Sequence, residues 1–110
     1  MEYKFDYKLT KRAKLDLDQI VSYISIELEN PQAASDFVKK LNNKIDDARI
    51  FPDGGIPVYS NFLRLENVRK KIVGNYVMYY CPDKENKVVY VLRIVYSRQN
   101  MDEVLTKLCI

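Results

Sequence analysis

The chain has no histidine among its 110 residues and only two cysteines, Cys81 and Cys109. Without histidine the commonest general base is missing, and with it the Ser-His-Asp class of catalysis. Zinc sites of mixed Cys/His type are excluded as well, and two thiols cannot build a four-cysteine site. No apolar run approaches the roughly 20 residues needed to cross a bilayer, and the opening MEYKFDYKLTKRAK has no apolar signal-peptide core. The expectation is a cytoplasmic protein with no membrane partner, no cofactor, no metal and no disulfide framework. Internal repeats and low-complexity segments are also absent.

What remains is an ordinary soluble composition, 47% hydrophobic and 30% charged. Its length fits one domain over residues 1–110. The net charge of +3 does not by itself mark a nucleic-acid binder, but its distribution is uneven. Residues 1–63 carry 9 cations and 10 anions, whereas residues 64–98 carry 8 cations and 3 anions. A basic second half interleaved with tyrosines is an electrostatic footprint worth following.

The order of elements follows from local patterns. YKFDYKL (3–9) alternates as a half-buried strand, with Tyr3, Phe5, Tyr7 and Leu9 on one side. Thr10 is placed to cap a helix over about 11–29, whose stripe is Ala13, Leu17, Ile20, Val21, Ile24 and Leu28. Asn30-Pro31 restarts the chain with an N-cap and a first-turn proline, and a second helix is predicted over 31–50. With almost no linker the two helices form an αα-hairpin. PDGG (52–55) ends it, and the stretch to about 67 reads as irregular. VRKKIV and YVMYYC flank Gly74-Asn75, a hairpin signal. KVVYVLRIVYS (87–97) is apolar on both parities and reads as a central strand, and Asn100 is placed to cap a terminal helix, MDEVLTKL. The expected architecture is α+β, β-α-α-β-β-β(-α): an antiparallel sheet with the helical hairpin on one face and a positively charged opposite face open to partners.

Three stretches resemble the RelE/ParE superfamily of bacterial toxins. They are YKLTKRAKLDLDQIVSYI (7–24), PQAASDFVKKLNNKIDDARIFPDGG (31–55) and RKKIVGNYVMYYCPDKENKVVYVLRIVYSRQN (69–100). Together they cover most of the chain in the family's order, and the DL..I..YI opening is closer to the ParE side. The resemblance implies the toxin of a type II toxin–antitoxin module, neutralised by a cognate antitoxin. Its target would be DNA gyrase on ParE lines or ribosome-bound messenger RNA on RelE lines. A third outcome is a non-toxic module that only binds antitoxin.

RNA cleavage needs a base for the 2′-OH, cations for the developing charge and an acid for the leaving oxygen. By resemblance Arg69, Lys71 and Arg98 would supply the cations. The family's terminal acid has no counterpart, because MDEVLTKL offers only Val104 or Leu105. Tyr76, Tyr79 or Tyr96 would have to substitute, and Tyr76 is the named candidate. For partner binding the candidates are Arg69, Lys70, Tyr79, Arg93 and Tyr96. Each also has a plain structural reading. Lys70 and Lys71 suit a protected sheet edge, and Arg93, inside an apolar strand, calls for a carboxylate from this chain or an antitoxin as much as for a phosphate. Tyr3, Tyr7 and Tyr23 read as core-facing, and Cys81 as a small buried hydrophobe. Tyr79 and Tyr80 are adjacent in a strand, so among Tyr76, Tyr79 and Tyr80 at least one must face outward. Arg93 and Arg98 point to opposite faces unless the strand ends or bulges near Ser97.

Overall fold

A computed structural model describes residues 4–61, 63–99 and 101–110. The first strand, β1, is Asp6–Leu9; Tyr3, expected in it, lies outside the described residues. Thr10 then caps helix α1, Lys11–Ser22, its hydroxyl accepting from the Ala13 N–H at 3.1 Å. The helix does not continue as α-helix to residue 29. It ends in a π-helical turn, Tyr23–Glu27, and Glu29 reverses the chain at φ 49°. Asn30 accepts from the Ala33 N–H at 3.0 Å and starts α2, Pro31–Ile50, with the predicted bounds.

The connection read as irregular contains a 3₁₀ turn, Pro52–Gly54, and a short strand β2, Ile56–Pro57. Strands β3, Arg69–Val73, and β4, Tyr76–Asp83, meet at a two-residue turn. Gly74 holds φ +61° at its first central position, the conformation of a type II′ hairpin. Strand β5 is Val88–Tyr96, and helix α3, Met101–Thr106, follows it. Asn100, the expected cap of α3, lies outside the described residues.

The five strands form one sheet in the order β1-β5-β4-β3-β2. Three of its four pairings are antiparallel, as expected. The fourth is not: β1 runs parallel to β5, Asp6 opposite Val88 through Leu9 opposite Val91. The helical hairpin is a crossover of some 40 residues by sequence position, long enough to return the chain at the far edge in either sense. On the helix side Ala13, Ile20, Phe37, Leu41 and Ile45 pack against Met78, Tyr80, Val89, Val91 and Ile94.

The opposite face is not the open basic surface that the sequence predicts. Val77, Tyr79, Cys81, Leu92 and Val95 form a second core there with Val104, Leu105 and Leu108 of the α3 segment. Val58, Leu63 and Leu65 from the 56–68 connection pack against it. Apolar side chains on both faces of a central strand must both be covered, which is why β5 reads as apolar at both parities.

Tyr80 ties the two layers to the irregular connection. Its hydroxyl accepts from the Gly55 N–H at 2.9 Å and donates to the Pro52 carbonyl at 3.1 Å. A Cβ at Gly55 would overlap that hydroxyl and stand 2.8 Å and 2.9 Å from ring atoms Cε1 and Cζ. Gly55→Ala is therefore expected to destabilise the protein by about 1–3 kcal/mol through overpacking. In urea unfolding, combining it with Tyr80→Phe should cost less than the two single losses summed, because both disturb one contact.

Candidate functional site

Strand β5 is longer than its neighbour β1. Beyond Leu9 its outer edge has no strand beside it, and backbone groups left there unpaired would be costly. The N-terminal part of α1 supplies partners instead. The Thr10 N–H donates to the Val91 carbonyl at 3.0 Å, and the Thr10 hydroxyl donates to the Leu92 carbonyl at 3.0 Å. Asp16, buried in the apolar stripe of α1, accepts from the Ile94 N–H at 3.0 Å. Its carboxylate also takes Arg93 in a two-point grip, Nε at 2.6 Å and Nη2 at 3.1 Å. Arg12 stands beside it, Nε 3.6 Å from Oδ1.

Arg93, named from sequence as a partner-binding candidate, is thus 8% exposed and occupied by a carboxylate of its own chain. Of its alternative readings the intramolecular one describes the structure, because an apolar strand tolerates a guanidinium only when it is paired. The signal for its partner was an acidic residue inside the apolar stripe of α1, at the position between Ala13 and Ile20 where the helix faces the sheet.

Tyr79, another partner-binding candidate, requires a correction. It is 2% exposed, and its hydroxyl donates to the Met101 sulfur, pinning α3 to the second core. Burial pushes its phenol pKa up. In the Tyr79–Tyr80 pair the sheet resolves the parity conflict by covering both faces, so neither side chain reaches solvent. The outward tyrosines are others. Tyr7 and Tyr23, expected in the core, are exposed; the Arg49 guanidinium lies over the Tyr7 ring at 5.3 Å. Cys81 is buried, as expected, and burial raises its thiol pKa.

Arg69 is consumed locally. Its Nη1 donates to the carbonyls of Asp53 and Gly55 at 2.8 Å and 2.9 Å, and its Nε donates to Asn67 Oδ1 at 3.3 Å. With Tyr80 it latches the 3₁₀ turn to the sheet, where Asp53 also pairs with Lys84. Lys71 lies opposite Met78, on the helix side of β3, and Lys70 lies opposite Tyr79, on the other face. Both are half-buried, and their side chains make no hydrogen bond or ion pair to a described residue.

Arg98 is exposed in the turn after β5, and the Ser97 N–H bonds the Asn75 carbonyl at 2.9 Å, fixing this turn at the β3–β4 hairpin end. Arg69 lies toward the other end of the sheet. At roughly 3.3 Å per residue the two arginines stand about 20 Å apart along the strands. Arg69 and Lys71 therefore share the helix-side face of β3, and Arg98 stands at the opposite end of the sheet from them.

Tyr76 and Tyr96 do come together. Their rings meet edge to face at 5.7 Å, and Tyr76 meets Phe37 at 5.1 Å. The Tyr76 phenol pKa is raised, first by burial and then by Tyr23 and Tyr96. That shift leads away from the near-neutral value that suits a proton donor. Val104 and Leu105, at the place of the missing acid, are buried core residues. Among the described residues no group of three or more acidic or cysteine side chains could hold a metal ion, and no helix is long and apolar enough to cross a membrane.

The architecture, a helical hairpin on a five-stranded and mostly antiparallel sheet, is that of a small α+β toxin. One solved structure like it is a chromosomal ParDE toxin–antitoxin system from P. aeruginosa, at 20% identity and TM-score 0.65, covering 84% of this chain and 96% of that one. A second is the RelBE2 toxin–antitoxin complex from Mycobacterium tuberculosis, at 20% identity and TM-score 0.61, with 87% and 94% coverage. A third is an arginine-to-alanine double mutant of the E. coli toxin RelE in the free state, at 15% identity and TM-score 0.59, with 94% of each chain covered. No curated protein matches the sequence significantly. The sequence matches the family described as the ParE toxin of the type II toxin–antitoxin system, parDE, over residues 7–101. The chain belongs to that family, within the RelE/ParE superfamily.

Removing the Asp16 carboxylate leaves a buried guanidinium and a buried backbone N–H without their acceptor. Asp16→Ala is expected to cost about 3–5 kcal/mol, a large share of the roughly 5–15 kcal/mol that holds a domain folded. In chemical denaturation the double variant Asp16→Leu, Arg93→Met should be markedly more stable than Asp16→Ala alone; equal stability would mean that the pair is not the clamp.

Proposed function

We propose that this chain is a growth-inhibiting toxin that acts by binding, a ParE-type inhibitor of DNA gyrase held in check by a cognate antitoxin. The observation that carries this reading is the separation of Arg98 from Arg69 and Lys71, with Arg69 already donating to the Asp53 and Gly55 carbonyls. Transition-state stabilisation of RNA cleavage requires donors converging on one phosphate. Arg98 lies at the far end of the sheet from the other two, and burial raises the Tyr76 phenol pKa, away from the near-neutral range that suits a proton donor. The family match points the same way, and the relatives solved as toxin–antitoxin complexes support an antitoxin partner.

Messenger-RNA cleavage on the ribosome is the competing reading. It would rest on Arg98, which is exposed and unpaired among the described residues, two positions beyond Tyr96. The two readings separate in purified systems. The protein should inhibit supercoiling by purified gyrase and leave messenger RNA intact in a translating extract, and Lys71→Ala and Arg98→Ala should each change gyrase inhibition less than about threefold. Cleaved message that becomes intact with Arg98→Ala would overturn the proposal in favour of the nuclease. Induction without antitoxin should arrest growth; unimpaired growth would leave only an antitoxin-binding module.

A further inference from the structure

The outer face of α1, turned away from the sheet, holds two aliphatic side chains in water. Leu15 is 44% exposed and Ile26 is 69% exposed, and neither belongs to either core. They lie 11 positions apart, about 16 Å at roughly 1.5 Å per residue. Each borders a shallow hollow. Leu15 lines one of about 290 Å³ with Lys11, Cys109 and Ile110. Ile26 lines another of about 390 Å³ with Asp18, Ser22 and Glu27. The π-helical turn extends the second end, because Leu28, spaced for the core one turn beyond the buried Ile24, is exposed as well. Large apolar side chains kept in water at both ends of one face mark an interaction surface.

Charge on this face runs against the helix. Lys11 and Lys14 stand in the first turn of α1, which holds no acidic residue. Glu27 ends the π-helical turn, and Glu29 follows it. The helix dipole favours the reverse, anions at the start and cations at the end. All four side chains are exposed, and none forms an ion pair with a described residue. Arg12, in the same turn, is held by Asp16.

An arrangement that is unfavourable within one copy is complementary between two. A two-fold axis crossing α1 between residues 20 and 21 sets a second copy antiparallel to the first. Leu15 of each copy then faces Ile26 of the other, and Lys14 faces Glu27, because both pairs are centred on that axis. Each aliphatic side chain meets the hollow at the opposite end, and a cationic rim meets an anionic one. Ser22, small and near the axis, lets the helices approach. Such a patch is isologous, the same surface serving on both sides. A face of mixed sign suits its own copy better than a nucleic acid or an anionic lipid surface, whose charge has one sign.

We propose that two copies of this chain pair through the outer faces of their α1 helices, antiparallel about this axis. The pairing needs neither gyrase nor antitoxin, so its test is separate from that of the function proposed above. Sedimentation equilibrium of the purified full chain should show a monomer–dimer equilibrium with Kd of about 10–100 μM, as befits a small interface. Ile26→Asp should weaken it by about tenfold or more. A variant with Lys11→Glu and Lys14→Glu, and another with Glu27→Lys and Glu29→Lys, should each stay monomeric at those concentrations. Mixed in equal amounts they should dimerise, since both ends of the mixed pair then carry opposite charges. Thermal midpoints of the two charge variants, taken at low micromolar concentration, should equal or exceed the wild type's, because their charges agree with the helix dipole. A wild type that is monomeric at several hundred micromolar would overturn the proposal. So would a dimer indifferent to Ile26→Asp, or a mixture of the charge variants that stays monomeric.

Discussion

The Asp16 carboxylate joins the middle of α1 to strand β5. It accepts from the side chain of Arg93 and the backbone of Ile94, 77 and 78 residues away in sequence. An isolated buried charge of either sign would be prohibitive, and together the two are tolerable because almost every donor and lone pair is used. The pair also closes the edge of β5 that β1 is too short to cover. In fixing α1 along that edge, it sets where Tyr23 and Arg12 stand.

The second consequence of β5 being apolar on both sides is a second core. The α3 segment and the 56–68 connection cover the face opposite the helical hairpin, and Tyr79 becomes their anchor through Met101. This covering determines what the basic second half of the chain is able to do. Arg69 is drawn into a latch with Tyr80 on the 3₁₀ turn, Lys70 and Lys71 diverge to opposite faces, and Arg98 stays at the far end of the sheet. Positive charge concentrated in sequence is thereby spread in space.

What the fold leaves accessible is the bend of the helical hairpin and the tyrosines beside it. There the local geometry departs from the regular helix, and apolar side chains that the sequence spaces for a core are delivered to solvent.

Local pattern alone determined the order of the main helices and strands apart from the short β2, the bounds of α2, the start of α1 and the Gly74-Asn75 hairpin. Caps, turn residues and hydrophobic periodicity act within a few residues of one another, so they are written contiguously. It also marked Arg93 as a charge in need of a partner, a carboxylate as much as a phosphate. Only the tertiary structure decided which one, that β1 lies parallel to β5, that Tyr79 is buried and Tyr7 is not, and that Leu28 leaves the stripe it belongs to. All but the last depend on segments meeting that lie tens of residues apart, and a contact of that range leaves no periodic trace in the chain. The candidate site was legible as a list of residue types; their dispersal was not, because which face a strand residue occupies becomes functional only when the opposite layer is in place.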